Sequence, residues 1–268
     1  MKKIAVCVGI NDYPGQSNDL RGCVNDAEDW SKLLSGTYGY AVQKILDGAA
    51  TRANVIEALK ALVDEAGPGD RVAFTYSGHG TWVPDQGEAD ESDNRDEALA
   101  LVDGILVDDE IRLILAKAHP DASVSIVSDS CFSGGITRSF LKTQRAAAMA
   151  EADGTKAPIP RFMPPEDDMV ALRAAILPVR HRAFYPESTM SHVLLTGCNA
   201  TEYSYDAHLN GNFNGAMTYF AIQLIKADPA RTWRDLHKAL RKLLPSTSFP
   251  QSPQLEGPKG RKDRPVFT

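Results

Sequence analysis

Residues Ser123 to Gly135 read SVSIVSDSCFSGG. A short, β-branched run passes directly into a glycine-rich turn that carries Cys131. Residues Arg71 to Gly80, RVAFTYSGHG, repeat the plan and end on a turn that carries His79. Two more runs of this kind lie at Lys3 to Ile10 and His192 to Gly197. Near-continuous stretches such as VSIVS and HVLLTG mark strands covered on both faces, as in a parallel sheet. Helical periods fill the gaps. Asn25 to Leu34 places Ala27, Trp30, Leu33 and Leu34 on one face. Asn54 to Ala66 does so with Val55, Leu59, Leu62 and Val63, behind Thr51 as N-cap. Asp108 to Ala118 and Met217 to Ala227 are further helix candidates. This alternation predicts an α/β fold with a mostly parallel central sheet, helices on both faces and right-handed crossovers. The functional crevice of such folds lies beyond the carboxyl ends of the strands.

The chain has 268 residues, with 29 Lys plus Arg against 35 Asp plus Glu, a formal charge of −6. The length supports a full core in one large domain or two small ones. The acidic balance argues against nucleic acid or an anionic membrane as partner. No run approaches the roughly 18 apolar residues of a membrane span. The apolar run at Ile4 is too short, and lacks the cleavage site, for a signal peptide. Cys7, Cys23, Cys131 and Cys198 are scattered, with no Cys-x-x-Cys spacing, so neither a disulfide scaffold nor a zinc ribbon is expected. A reducing, cytoplasmic setting follows as the expectation. Two stretches break the alternation. Asp85 to Glu110 is rich in carboxylates and reads as a solvated loop. Ser139 to Ser191 mixes Ala, Pro and Arg and reads as an insertion or connecting loop. The basic tail from Gly257 to Arg264 reads as a solvated terminus.

Both turns sit where parallel strands finish, so His79 and Cys131 are expected on one edge of the sheet. A thiol beside an imidazole is the minimum for nucleophilic catalysis. The imidazole forms the thiolate and protonates a leaving amine. The Gly80 and Cys131 N–H groups are the natural oxyanion donors. A phosphatase loop fails on spacing, because Arg138 falls one residue late. A hydrolase elbow fails because Asp129 and Ser133 flank the cysteine where glycines are needed.

YSGHG and DSCFSGG together resemble the caspase-like cysteine peptidases, and among them the metacaspases and orthocaspases. The 52-residue separation of His79 and Cys131 is close to the roughly 50 of caspases. Similar stretches are Gly9-Ile10-Asn11-Asp12-Tyr13, Leu20 to Ala27, Thr196-Gly197-Cys198, Asn214 to Thr218 and Gln251 to Leu255. The resemblance implies a caspase-hemoglobinase fold in one peptidase domain over 1–268. Its large-subunit-like region would be 1–138 and its small-subunit-like region 192–268, with 139–191 connecting them. It implies a His79/Cys131 dyad and cleavage after Arg or Lys, with a substrate pocket at Cys23, Asp26, Ser77 and Asp129. Paired carboxylates select a cation and repel an acid. A backbone carbonyl is left to orient His79. The expected partner is a peptide or protein with Arg or Lys at the cleavage site, and the expected state is a monomer.

The resemblance also implies self-cleavage in the connecting loop, with Lys142, Arg145, Lys156, Arg161, Arg173, Arg180 and Arg182 as candidate positions. No cofactor is expected to be required. Some metacaspases bind calcium through four aspartates. Asp96, Asp108 and Asp109 match, but Arg138 stands at the fourth place, and a cation there argues against the ion. Two other readings stay open: a non-catalytic module that binds basic peptides, and an acyl-thioester hydrolase, which needs no acidic pocket.

Overall fold

The four apolar runs become strands of one sheet. The computed structural model describes residues 1–15, 18–84, 95–131, 157–165, 167–175 and 190–268. Strands β1 (Lys3–Gly9), β2 (Ala41–Leu46), β3 (Arg71–Ser77), β7 (Ser123–Asp129), β9 (His192–Thr196) and β12 (Gln254–Glu256) form a six-stranded sheet. Its order is β12-β9-β7-β3-β1-β2, and every pairing is parallel except that of β12 with β9. Side chains of a strand alternate between faces. Val6, Val8, Val72, Phe74, Val124 and Ile126 therefore join one core, beneath helices α2 (Arg52–Asp64) and α3 (Asp108–Leu115). Ala5, Cys7, Ala73, Val127, Val193 and Leu195 join the other, beneath α1 (Cys23–Tyr38), α5 (Ala216–Ala227) and α6 (Trp233–Leu240). The caspase-like α/β architecture expected from the sequence is the architecture observed.

Local signals act where they were read. Thr51 caps α2 through its hydroxyl, which accepts the Asn54 N–H at 3.3 Å. Gly39 ends α1 with φ +71°, a left-handed turn that suits glycine; its N–H donates to the Ser35 carbonyl and the Tyr40 N–H to the Leu34 carbonyl.

Three expectations need correcting. The described part of the acidic stretch is not a solvated loop. Within it β5 (Arg95–Leu101) pairs antiparallel with β4 (Gly80–Pro84) and β6 (Gly104–Val107), and Ala98, Leu99, Ala100, Ile105 and Leu106 are core residues. The tail is not simply solvated. It forms α7 (Lys259–Lys262) and then drives Val266 and Phe267 into the core, where the Phe267 ring meets Trp233 at 5.0 Å and Trp30 at 5.8 Å. The connecting segment does more than connect. Its residues β8 (Ile159–Pro160) extend a small sheet with β10 (Tyr205–Leu209) and β11 (Asn212–Gly215), while α4 (Asp167–Ala175) lies against β4 and β6.

Candidate active site

Strands β3 and β7 are neighbours, and their register pairs Ser77 with Asp129. His79 and Cys131 each lie two residues past that pair, so the same edge of the sheet carries both. Glycines make the turns possible. A Cβ at Gly78 would stand 2.6 Å from the hydroxyls of Tyr13 and Tyr76, and one at Gly80 would collide with the Cys131 carbonyl.

His79 is 4% exposed. Its N–H donates to the Tyr13 hydroxyl at 2.8 Å, and its ring lies 4.8 Å from the Tyr13 ring. The Tyr76 hydroxyl donates to the His79 carbonyl at 2.8 Å. Nε2 faces the Asn18 carbonyl at 2.7 Å, which assigns the proton to that nitrogen. Nδ1 is buried with no hydrogen-bond partner, so it carries a free lone pair. Burial and the Arg161 charge lower the imidazole to about 4, against the Asn18 carbonyl, which raises it. The ring is therefore a neutral base at ordinary pH.

Cys131 is fully buried. Its Sγ accepts the Ser204 N–H at 2.7 Å. The Cys131 and Gly80 N–H groups converge on one oxygen, the carbonyl of Arg161, at 3.2 and 3.0 Å. That carbonyl belongs to a segment of the chain running through the site in extended form. Before it, Pro160 pairs with Tyr205 and Ile159 with Asp206, and the Arg161 N–H donates to the Ser204 carbonyl at 2.9 Å. After it, the Met163 N–H donates to the Gly80 carbonyl at 2.9 Å, and the Phe162 ring lies 6.0 Å from that of Tyr203. The 161–162 peptide bond thus lies at the turn that holds the cysteine.

The Arg161 side chain is wholly buried among carboxylates. Its Nη2 is 2.7 Å from Asp26 and 3.0 Å from Asp206, and its Nη1 is 3.0 Å from the Asp129 carbonyl and 3.5 Å from the Asp129 carboxylate. Each carboxylate is fixed from behind. Asp26, in the first turn of α1, accepts the Gly215 N–H and the Asn214 amide at 3.0 Å. Asp129 accepts the Thr218 N–H at 2.9 Å and the Ser204 hydroxyl. Burial pushes Asp26 up to about 7 and raises Asp206, while the guanidinium pulls both down. The carboxylates in turn hold Arg161 well above its ordinary value.

Asp26 and Asp129 were legible in the sequence, and the fold brings both to one cation. Cys23, fully buried in the first turn of α1, and Ser77, in register with Asp129, lie at the same corner but are not hydrogen-bond partners of the guanidinium. Sequence reasoning missed Asp206, Ser204, Asn18 and Gln251. The Gln251 amide accepts the Tyr205 N–H at 3.2 Å and donates to the Gly197 carbonyl at 2.8 Å, tying β10 to the end of β9. The signal available for Asp206 was the alternation of Tyr203 and Tyr205 in TEYSYDA, a period-two pattern that leads into the carboxylate.

Of the other candidate cut positions, Lys142, Arg145, Lys156, Arg180 and Arg182 lie outside the described residues, as does the side chain of Arg173. Arg138 also lies outside them. Asp108 and Asp109 pair with Arg112, the latter at 3.6 Å. Among the described residues no three His, Cys, Asp or Glu side chains stand together as metal ligands. The guanidinium of Arg112 thus pairs with two of the three aspartates that match the family's calcium ligands.

Comparison with known proteins settles what kind of protein carries this site. The model of the caspase domain matches residues 2–264. The chain belongs to the caspase-domain peptidases. Metacaspase-1A of Aspergillus fumigatus is 30% identical over 95% of this chain and 68% of its own length. Metacaspase-1 of Emericella nidulans is 30% identical, over 95% and 70%. The crystal structure of a Geobacter sulfurreducens protein covers 100% of the chain and 99% of its own, at TM-score 0.75 and 27% identity. Caspase-1 from Spodoptera frugiperda shares the fold alone, at TM-score 0.52 and 11% identity over 96% and 88% of the two chains. The peptidase is therefore a caspase-like cysteine peptidase of the metacaspase kind, with protein or peptide substrates. Among its described residues no helix is long and apolar enough to cross a membrane.

Proposed function

We propose that the peptidase cleaves after Arg or Lys through a His79/Cys131 dyad, and that its own Arg161–Phe162 bond is a substrate. One observation carries the reading. The Arg161 carbonyl receives two N–H groups at the cysteine turn while the Arg161 guanidinium fills a pocket of carboxylates. The Cys131 sulfur attacks that carbonyl carbon. The thiol proton passes to Nδ1 of His79, whose other nitrogen is held by the Asn18 carbonyl. The carbonyl electrons move onto the oxygen, where the Gly80 and Cys131 N–H groups stabilise them. Collapse breaks the bond to the Phe162 nitrogen, which takes the proton from His79. Water, deprotonated by His79, then releases the arginine carboxylate and restores the thiol. No metal or cofactor enters these steps. We place the protein in solution as a monomer, in keeping with the short, antiparallel edge strand β12.

The occupied pocket also favours a second reading, a blocked module that binds basic peptides without turnover. Fluorogenic peptides ending in Arg, Lys or Asp separate the two, together with mass spectrometry of the purified chain. Wild type is expected to cut Arg and Lys peptides and to yield a fragment ending at Arg161. Cys131→Ala is expected to do neither. Cleavage after Asp would overturn the pocket. An intact wild type that cuts no peptide would favour the module.

A further inference from the structure

The third carboxylate around the guanidinium distinguishes the two basic side chains. Asp206 comes from β10 and is 1% exposed. Its oxygens accept the Arg21 N–H at 2.8 Å and the Gly22 N–H at 3.0 and 3.2 Å. These bonds hold the carboxylate in one place, as a preset acceptor. What it presents to the pocket is Oδ1, 3.0 Å from Nη2 of Arg161. The same Nη2 stands 2.7 Å from Asp26, so two carboxylates from distant parts of the chain clamp one terminal nitrogen. Nε of Arg161 is buried with no partner, so Nη1 and Nη2 make all of the side chain's polar contacts.

A lysine carries its charge one bond nearer the backbone than an arginine carries its terminal nitrogens. Its ammonium would stand at the depth of the arginine Cζ, short of the point where Asp26 and Asp206 meet. It is also a compact point charge that cannot fork between separated acceptors. We infer that Asp206 is a specificity-determining residue of this pocket, and that the Asp26–Asp206 clamp on a single guanidinium nitrogen selects arginine over lysine. The inference rests on the pocket proposed above.

The test compares kcat/KM for two peptides that differ only in Arg or Lys at the cleavage position, in wild type and Asp206→Asn. Wild type is expected to favour Arg by about tenfold or more, the worth of one charge-assisted hydrogen bond. In Asp206→Asn the Arg peptide is expected to lose about ten- to a hundredfold and the Lys peptide less than about threefold. Equal losses on both peptides would reduce Asp206 to a structural support and overturn the inference. If Asp206→Asn does not fold, Asp206→Glu keeps the charge but moves it by one methylene. It is expected to lower the Arg-to-Lys ratio, and an unchanged ratio would overturn the inference. A wild type that cuts both peptides equally defeats this inference alone. A wild type that cuts neither defeats the proposed peptidase pocket, and this inference with it.

Discussion

Aspartates meet an arginine at two places in this protein. Asp26, Asp129 and Asp206 surround Arg161, while Asp108 and Asp109 pair with Arg112 and the charge of Asp96 acts on Asp108. At the first place all four side chains are sealed from water, and they come from four separate stretches of chain. At the second, Arg112 lies on the same helix turn as Asp108 and Asp109, and its side chain is 33% exposed. The second group is a local pairing that the helix provides, with its arginine partly open to solvent. The first is a buried cluster closed around one cation. Its carboxylates are also held from behind, by the N–H groups of Arg21, Gly22, Gly215 and Thr218.

The largest expected effect is that of Arg161→Ala, made on Cys131→Ala so that proteolysis does not enter the measurement. Three buried carboxylates then lose their cation. Breaking a buried pair from one side costs about 3–5 kcal/mol. The urea midpoint is expected to fall accordingly at pH 8. The loss should be smaller at pH 5. Asp26 already stands at about 7 with the guanidinium present, above its ordinary 3.8, so the folded state binds an extra proton as the pH drops through that window. An equal loss at both pH values would contradict the buried-charge account.

A second effect sharpens the same contrast. In the proposed pocket ionised Asp26 holds the substrate cation, so kcat/KM for an Arg peptide is expected to rise with pH through neutrality, because burial holds Asp26 above its ordinary carboxylate value. Asp26→Asn should lower the rate and flatten that limb. His79, held near 4, contributes nothing to the limb, because the imidazole is neutral throughout this range. A limb that survives in Asp26→Asn would assign it to another group. The smallest effect belongs to the second cluster. Arg112→Ala is expected to shift stability by about 0.3–1 kcal/mol and to leave peptide hydrolysis unchanged. A fall in hydrolysis comparable to that of Asp26→Asn would show that the two clusters are not separate in function.

Much of the fold could be read along the chain because its signals are local. VSIVS and RVAFTYS are strands at nearly the residues expected, and Thr51 caps the helix it was assigned to. The four helices read from the sequence were placed within a few residues, with ends shifted by caps such as Gly39, whereas α4, α6 and α7 were not anticipated. What was missed lacks a local signature. Strand β2 is an exposed sheet edge whose short apolar run, AVQKIL, is interrupted by Gln43 and Lys44, and it owes its strand state to pairing with β1. Strands β10 and β11 carry mixed polar residues because their partners are the inserted segment and each other. The tail looks solvated by composition, yet Val266 and Phe267 find an aromatic pocket that other elements build.

The site divides along the same line. His79, Cys131 and Gly80 stand in short motifs whose chemistry shows in their spacing, Asp26 and Asp129 were marked by the family resemblance, and the order of strand and turn along the chain already required that a thiol and an imidazole share one sheet edge. Strand direction alone requires that, since adjacent parallel strands end on the same side. The tertiary structure alone decided which carboxylates meet, that Asp206 joins them, that the Asn18 carbonyl orients the imidazole, and that Arg161 fills the pocket. Those contacts join residues from 32 to 185 positions apart, from Arg161 with Asp129 to Arg21 with Asp206. Burial makes each of them strong, and burial is a property of the folded assembly that no single stretch of sequence carries.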